Sequence, residues 1–219
     1  MQFIKVEDVS PEEIKFSKVK SQRGRRFINV YYNKKNLGLK FPSLRLPFNT
    51  RLNQFGQLEV SVSLVKGSEL LDRIKKIDDF MKKSCQVEGW FPGSASANYS
   101  PMLKESTSGD YAPTVKVKIP LDENKNVKTK FFNYEKDKIA VTKPEDVSDE
   151  LKKGTCIQIA AECVGVWFMD NRYGLSWKAE QIRILQKSDT QNLDASEDYS
   201  FYSSDNSSDL SLLISDDED

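Results

Sequence analysis

The stretch from Ser188 to Asp219 cannot contribute to a hydrophobic core, and this decides where the fold must lie. It holds ten acidic residues and no lysine or arginine, set in a run of Ser, Asp and Asn. Such a composition buries too little apolar surface to offset the entropy of ordering the chain. The sequence therefore predicts a folded domain over 1–187 and a disordered acidic tail over 188–219. The whole chain carries 33 basic and 33 acidic residues. With ten of the acids in the tail, the body keeps 33 basic against 23 acidic groups, an excess of ten. A net charge of zero thus conceals a basic body and an oppositely charged tail, and a basic body points to a polyanionic partner.

Several classes of chemistry are disfavoured by what the chain lacks. It has no histidine, which removes the commonest general base and zinc ligand and every Ser-His or Cys-His arrangement. Gly89-Trp-Phe-Pro-Gly-Ser94 lacks the lysine of a phosphate-binding loop. Asp78 and Asp79 are helix neighbours that do not face one another. Cys85, Cys156 and Cys163 are odd in number and widely spaced, which argues against a disulfide framework and suits a reducing compartment. No catalytic residue, metal site or cofactor is expected. No apolar run is long enough to span a membrane, and the start of the chain lacks an apolar signal segment, so an intracellular protein with no membrane partner is expected.

The periodicities predict a mainly β body. Strands are expected over 26–32, 36–41, 57–65, 114–119, 127–132, 155–168 and 173–185. Leu70, Leu71, Ile74, Ile77, Phe80 and Met81 recur at helical spacing over 69–83, with Ser68 as N-cap. A shorter helix is expected over 144–152, with Pro144 in its first turn. Residues 88–113 read as a long irregular loop. Strands of this number, with one long helix between the third and fourth, fit an OB-fold-like antiparallel barrel, with a β-sandwich as the competitor.

Two basic groups carry the functional reading. In Val115-Lys-Val-Lys-Ile119 the lysines share one face, and in 127–132 Lys128, Lys130 and Phe132 share another. If these segments form a hairpin, four like charges crowd one surface, an arrangement that a bound anion relieves. The second group is Lys18, Lys20, Arg23, Arg25 and Arg26, followed by Phe27, Tyr31 and Tyr32. Cations interleaved with rings suit a single nucleic-acid strand, since charge tracks phosphates and rings stack on bases. Lys116, Lys118, Lys128, Lys130, Arg172, Lys178, Arg25 and Arg26 are the expected phosphate contacts. Trp90, Phe91, Tyr99 and Phe132 are the expected stacking residues, and either Trp167 or Trp177 is expected in the core.

Tyr111-Ala-Pro-Thr-Val-Lys-Val-Lys-Ile-Pro120, Cys163-Val-Gly-Val-Trp-Phe168 and Tyr173-Gly-Leu-Ser-Trp-Lys178 together resemble the OB-fold single-stranded DNA-binding proteins of large nucleocytoplasmic DNA viruses. Those proteins are similar to the replication single-strand-binding proteins of short-tailed phages. The resemblance covers about 25–187, and the tail in general character. It implies a protein that coats and protects single strands during replication, recombination and repair. It also implies a tail that contacts replication proteins such as a polymerase or helicase and, if the protein is viral, a location at the replication site in host cytoplasm or nucleus. One departure is that this chain ends Asp216-Asp-Glu-Asp219 rather than in an aromatic residue; its tail rings are Tyr199, Phe201 and Tyr202. The tail also carries the apolar cluster Leu210, Leu212, Leu213 and Ile214, which suits docking, and Ser215, which is placed for phosphorylation. Tethered carboxylates should compete with DNA for the basic groove. RNA is an alternative ligand, and a basic β-barrel adaptor that recruits proteins through its acidic tail is the alternative function. A carboxylate-only metal nuclease is a third reading.

Overall fold

The computed structural model describes residues 3–22, 24–91 and 97–187. The acidic tail with its rings, apolar cluster and Ser215, as well as Arg23 and the Ser-rich part of the long loop, lie outside the described residues.

The body is mainly β. Eleven elements matter for the site: β1 (Lys20–Gln22), β2 (Arg25–Ile28), β3 (Gly38–Arg45), β4 (Leu58–Ser63), α1 (Glu69–Val87), β5 (Asn98–Ser100), β6 (Thr114–Ile119), β7 (Lys130–Phe132), α2 (Pro144–Glu150), β8 (Cys156–Met169) and β9 (Arg172–Gln186). The long strands lie in the spatial order β3-β8-β9-β6-β4. Numbered along the chain, that is first, fourth, fifth, third, second, the order of a five-stranded Greek-key barrel of OB type. Among the described residues no ladder joins β3 to β4. They meet where Ser63 Oγ donates to Arg45 O at 3.0 Å, so the barrel is partly open.

Alternation builds the interior. Leu58, Val60 and Val62 of β4 face Val115, Val117 and Ile119 of β6, and all six are buried. Ile157, Ile159 and Ala161 of β8 join Trp177, Ala179, Ile182 and Ile184 of β9 in the same core. Helix α1 forms as its spacing predicts. Ser68 Oγ accepts from Leu71 N at 3.2 Å, and Leu70, Leu71, Ile74, Ile77 and Met81 are buried. The helix runs one turn further than expected, to Val87.

Three sequence expectations are corrected. The strand expected over 26–32 is two strands in different sheets. Asn29 interrupts them, its backbone exchanging hydrogen bonds with Ser17, and Val30–Tyr32 joins a three-stranded sheet with Lys15–Phe16 and Lys35–Asn36. The long loop contains β5 and the short strand Leu103–Lys104, which pair with β9 and β6. The expected hairpin over 114–132 is reduced to a single bridge between Leu121 and Val127. Both of its arms instead run parallel to β9, β6 at Lys118–Lys178 and β7 at Lys130–Gln181. Hairpin arms would have to be antiparallel to each other; docking on a common long strand, one after the other, provides more ladder than two short arms could.

Candidate nucleic-acid interface

The site is built where β2 lies against β8. Their ladder pairs Ile28 with Val166 and Phe27 with Trp167. This approach needs a glycine: a Cβ at Gly165, whose φ is +141°, would sit 2.5 Å from Ile28 O. Gly165 also falls at a bulge in the β8–β9 ladder, and bulges bend a strand and re-aim its side chains.

Side chains directly opposite one another across a ladder share a face. Lys20 of β1 pairs with Phe27, Phe27 with Trp167, Trp167 with Gly174, and Gly174 with Ser100. The result is one row across five strands: a cation, two rings, a bare backbone and a hydroxyl. The glycine is required here too, because a Cβ at Gly174 would lie 2.8 Å from Ser100 O and 2.9 Å from the Trp167 ring. Lys104 extends the row, with Nζ donating to Ser100 Oγ at 3.2 Å. At the two rings of this row opens a groove of about 770 Å³, lined among others by Gln22, Arg25, Phe27, Gly165, Trp167 and Ser176. Exposed Arg172 stands at the end of the β8–β9 hairpin, opposite Asn98.

The other face of the same ladder is interior. The Arg26 guanidinium lies over Phe168 at 4.9 Å and over Phe91 at 5.7 Å, and it donates to Trp90 O. Trp90 is 2% exposed and makes edge contacts with Phe16, Phe168 and Tyr173. Its ring faces are covered, so Trp90 is corrected from a stacking residue to a core residue: the loop folds back on the barrel. Phe91 is half-buried against Phe168 and Tyr173 and cannot offer two free faces. Tyr99 is tethered, its hydroxyl donating to Asp78 Oδ1 at 2.6 Å. Asp78 is 4% exposed and also accepts from the backbone of Met102 and Leu103, at 2.9 and 3.1 Å. It therefore pins the returning loop to α1. Burial pushes its carboxyl above the usual range, against the pull of those three hydrogen bonds.

The lysines divide. Arg51, Glu59, Lys118, Lys178 and Glu162 form a cross-strand row from the barrel edge to β8. Lys116 and Lys118 are exposed on this face, with Lys116 Nζ 3.8 Å from Glu59. Lys178 is clamped, with Nζ at 2.6 Å from both Glu162 and Glu180. Asn36 Nδ2 donates to the other Glu162 oxygen at 3.0 Å. Burial opposes the Glu162 charge, but the hydrogen bonds from Lys178 and Asn36 outweigh it and hold the carboxyl below its ordinary value. Burial likewise opposes the Lys178 charge, and the two carboxylates outweigh it and raise the amine. Lys128, Lys130 and Phe132 are not brought to the groove: β7 docks further along β9, at Gln181–Arg183, beyond Glu180. Of Trp167 and Trp177, it is Trp177 that lies in the core.

The groove's own rings, Phe27 and Trp167, are absent from the sequence-predicted stacking set. The available signal was parity: Phe27 alternates with Ile28 and Val30, which are buried, and shares its strand face with Arg25. Among the described residues, no group of three or more Cys, Asp or Glu side chains is placed to hold a metal ion. The three cysteines are free, and burial pushes the Cys163 thiol up to about 12. No described helix is long and apolar enough to cross a membrane.

No protein family and no curated protein sequence matches the chain. Solved structures of similar shape include the single-stranded DNA-binding protein from bacteriophage Enc34, at TM-score 0.48 and 8% identity, covering 84% of this chain and 96% of that one. The same protein in complex with single-stranded DNA gives 0.46 and 9%, covering 80% and 97%. The single-stranded DNA-binding protein gp2.5 of bacteriophage T7 gives 0.47 and 12%, covering 74% and 98%.

Proposed function

We infer that this chain is a non-catalytic protein that binds single-stranded DNA along the groove between β2, β8 and β9, with little sequence preference. The observation that carries this reading is the row Lys20–Phe27–Trp167–Gly174–Ser100. A strand laid along it meets rings for its bases, with Lys20, Arg25 and Lys104 beside them for its phosphates. Stacking is worth about 1–3 kcal/mol per base and tolerates any base, since each has a π-face. A duplex hides its base faces and gains nothing from the rings. Arg172 and Lys118 extend the cationic flank at either end. Such a protein would cover strands exposed in replication, recombination and repair. Its acidic tail would compete for the groove when DNA is absent and meet replication proteins when DNA is bound.

The test is a salt titration of oligonucleotide binding. Single-stranded DNA should bind more tightly than duplex of equal length, and log K should fall with log salt by about 0.7 per phosphate neutralised. A flat response, or equal affinity for duplex, overturns the reading. Single-stranded RNA of the same length is the discriminating arm for the sugar. Ending the chain at Lys187 should tighten binding if the tail competes.

A further inference from the structure

Lys178 lies on the groove's sheet face but is not free. It sits two residues beyond Ser176, which lines the groove, and it pairs in register with Lys118. Its amine is held at 2.6 Å by Glu162 on one side and 2.6 Å by Glu180 on the other. Glu162 is buried and also accepts from Asn36 Nδ2 at 3.0 Å, so it is the more firmly held of the two carboxylates. Glu180 is the more exposed half of the clamp: it stands where β9 bulges against β8 and is about one-third exposed, against 8% for Glu162. Two of the three N–H donors of Lys178 face carboxylates, so a phosphate reaching it either takes the third beside two like charges or displaces one of them.

We propose that Glu180, backed by Glu162, is an affinity-limiting element of the groove that keeps Lys178 as a latent phosphate contact. The proposal rests on the groove being a single-strand site. Its physical content is competition: two tethered carboxylates occupy one ammonium at hydrogen-bond distance, and each adds a local negative potential to the path of the strand. The strand is thereby held submaximally at the middle of its track, while contacts at Lys20, Arg25 and Lys118 are unopposed by this clamp. A protein that must be cleared from single strands by later machinery benefits from such a weak point.

The experiment uses the full chain and three oligonucleotides, oligo(dT), oligo(dC) and oligo(dA), titrated over salt. Glu180→Gln should tighten all three by roughly two- to five-fold at low salt. It should also steepen the salt dependence by about 0.7, the contribution of one further phosphate. Asp79→Asn is the charge control: it removes one carboxylate from the exposed face of α1, where Asp79 pairs with Lys82, and should leave binding unchanged. Equal tightening by Asp79→Asn overturns the proposal, because net charge alone would then suffice. A Glu180→Gln effect confined to one base also overturns it, because Glu180 would then be reading a base edge. No tightening in a variant of unchanged melting temperature overturns it as well. Where the parent chain binds and Trp167→Ala weakens it, such failures fall on the clamp alone; where the parent binds none of the three, the groove reading fails.

Discussion

Two sets of rings flank the ladder between β2 and β8, and they differ by one residue of parity. Arg26 and Phe168 point to the side where Trp90, Phe91 and Tyr173 form an enclosed aromatic cluster. Phe27 and Trp167 point to the side where the groove opens. Composition is the same on both sides, arginine beside aromatic residues. What distinguishes core from site is the face of a strand, and a strand reverses its faces with a one-residue shift. The returning loop settles the matter by covering one side, and Asp78 holds it there.

The largest expected effect breaks the enclosed side. Trp90→Ala removes a ring that is almost fully buried among three others. It should cost about 3–5 kcal/mol of stability, the usual range for a buried large aromatic. Denaturant melts read this directly. Affinity measured well below the melting temperature should change little by comparison, since Trp90 does not face the groove. A variant of normal stability with lost binding would reverse the two roles.

Next in size is the hinge between the two sides. Gly165→Ala adds a Cβ 2.5 Å from Ile28 O at a φ of +141°. Strain of this kind costs about 1–3 kcal/mol, and here it can be relieved by lifting β2 off β8. Stability and binding should therefore fall together, in contrast to Trp90→Ala. A variant that keeps both would show that β2 is not positioned by this contact.

Much of the frame was legible from periodicity. The strands over 58–63 and 114–119 alternate strictly, and α1 is marked by its apolar spacing and its serine cap. These elements bury one face each, so local pattern and final packing agree. The site was less legible because it depends on pairings between distant segments. Nothing in 127–132 shows that it will dock parallel to β9 rather than turn back on 114–119. Nor does the sequence near Trp90 show that the loop will fold over it. The two lysines of β6 were correctly placed on an outward face, yet the partners that decide their availability, Glu59, Glu162 and Glu180, come from other strands.

Trp167→Ala tests the open side. Removing a stacking ring should weaken single-strand binding by about 1–3 kcal/mol, which is roughly 5- to 150-fold in affinity. Duplex binding should change far less. The ring also rests on Gly174, so some stability will be lost, but less than at Trp90 because Trp167 is only half-buried. Fluorescence quenching of the remaining tryptophans offers a second reading: Trp90 and Trp177 are buried, so most of the quenching on DNA addition should vanish with Trp167.

The smallest effect separates two exposed lysines on one sheet face. Lys118 lies on the cross-strand row beside the groove, whereas Lys130 lies further along β9, beyond the Glu162–Lys178–Glu180 clamp. Both carry the same charge and both lie outside the core, so a protein that attracts DNA only through its overall field should treat them alike. If the strand follows the groove, Lys118→Ala should reduce the salt dependence by about 0.7, the share of one phosphate on a single strand. Lys130→Ala should leave it nearly unchanged. Equal reductions would mean that the strand continues along β9 past the clamp, with Phe132 regained as a stacking residue and the groove as only the start of a longer track.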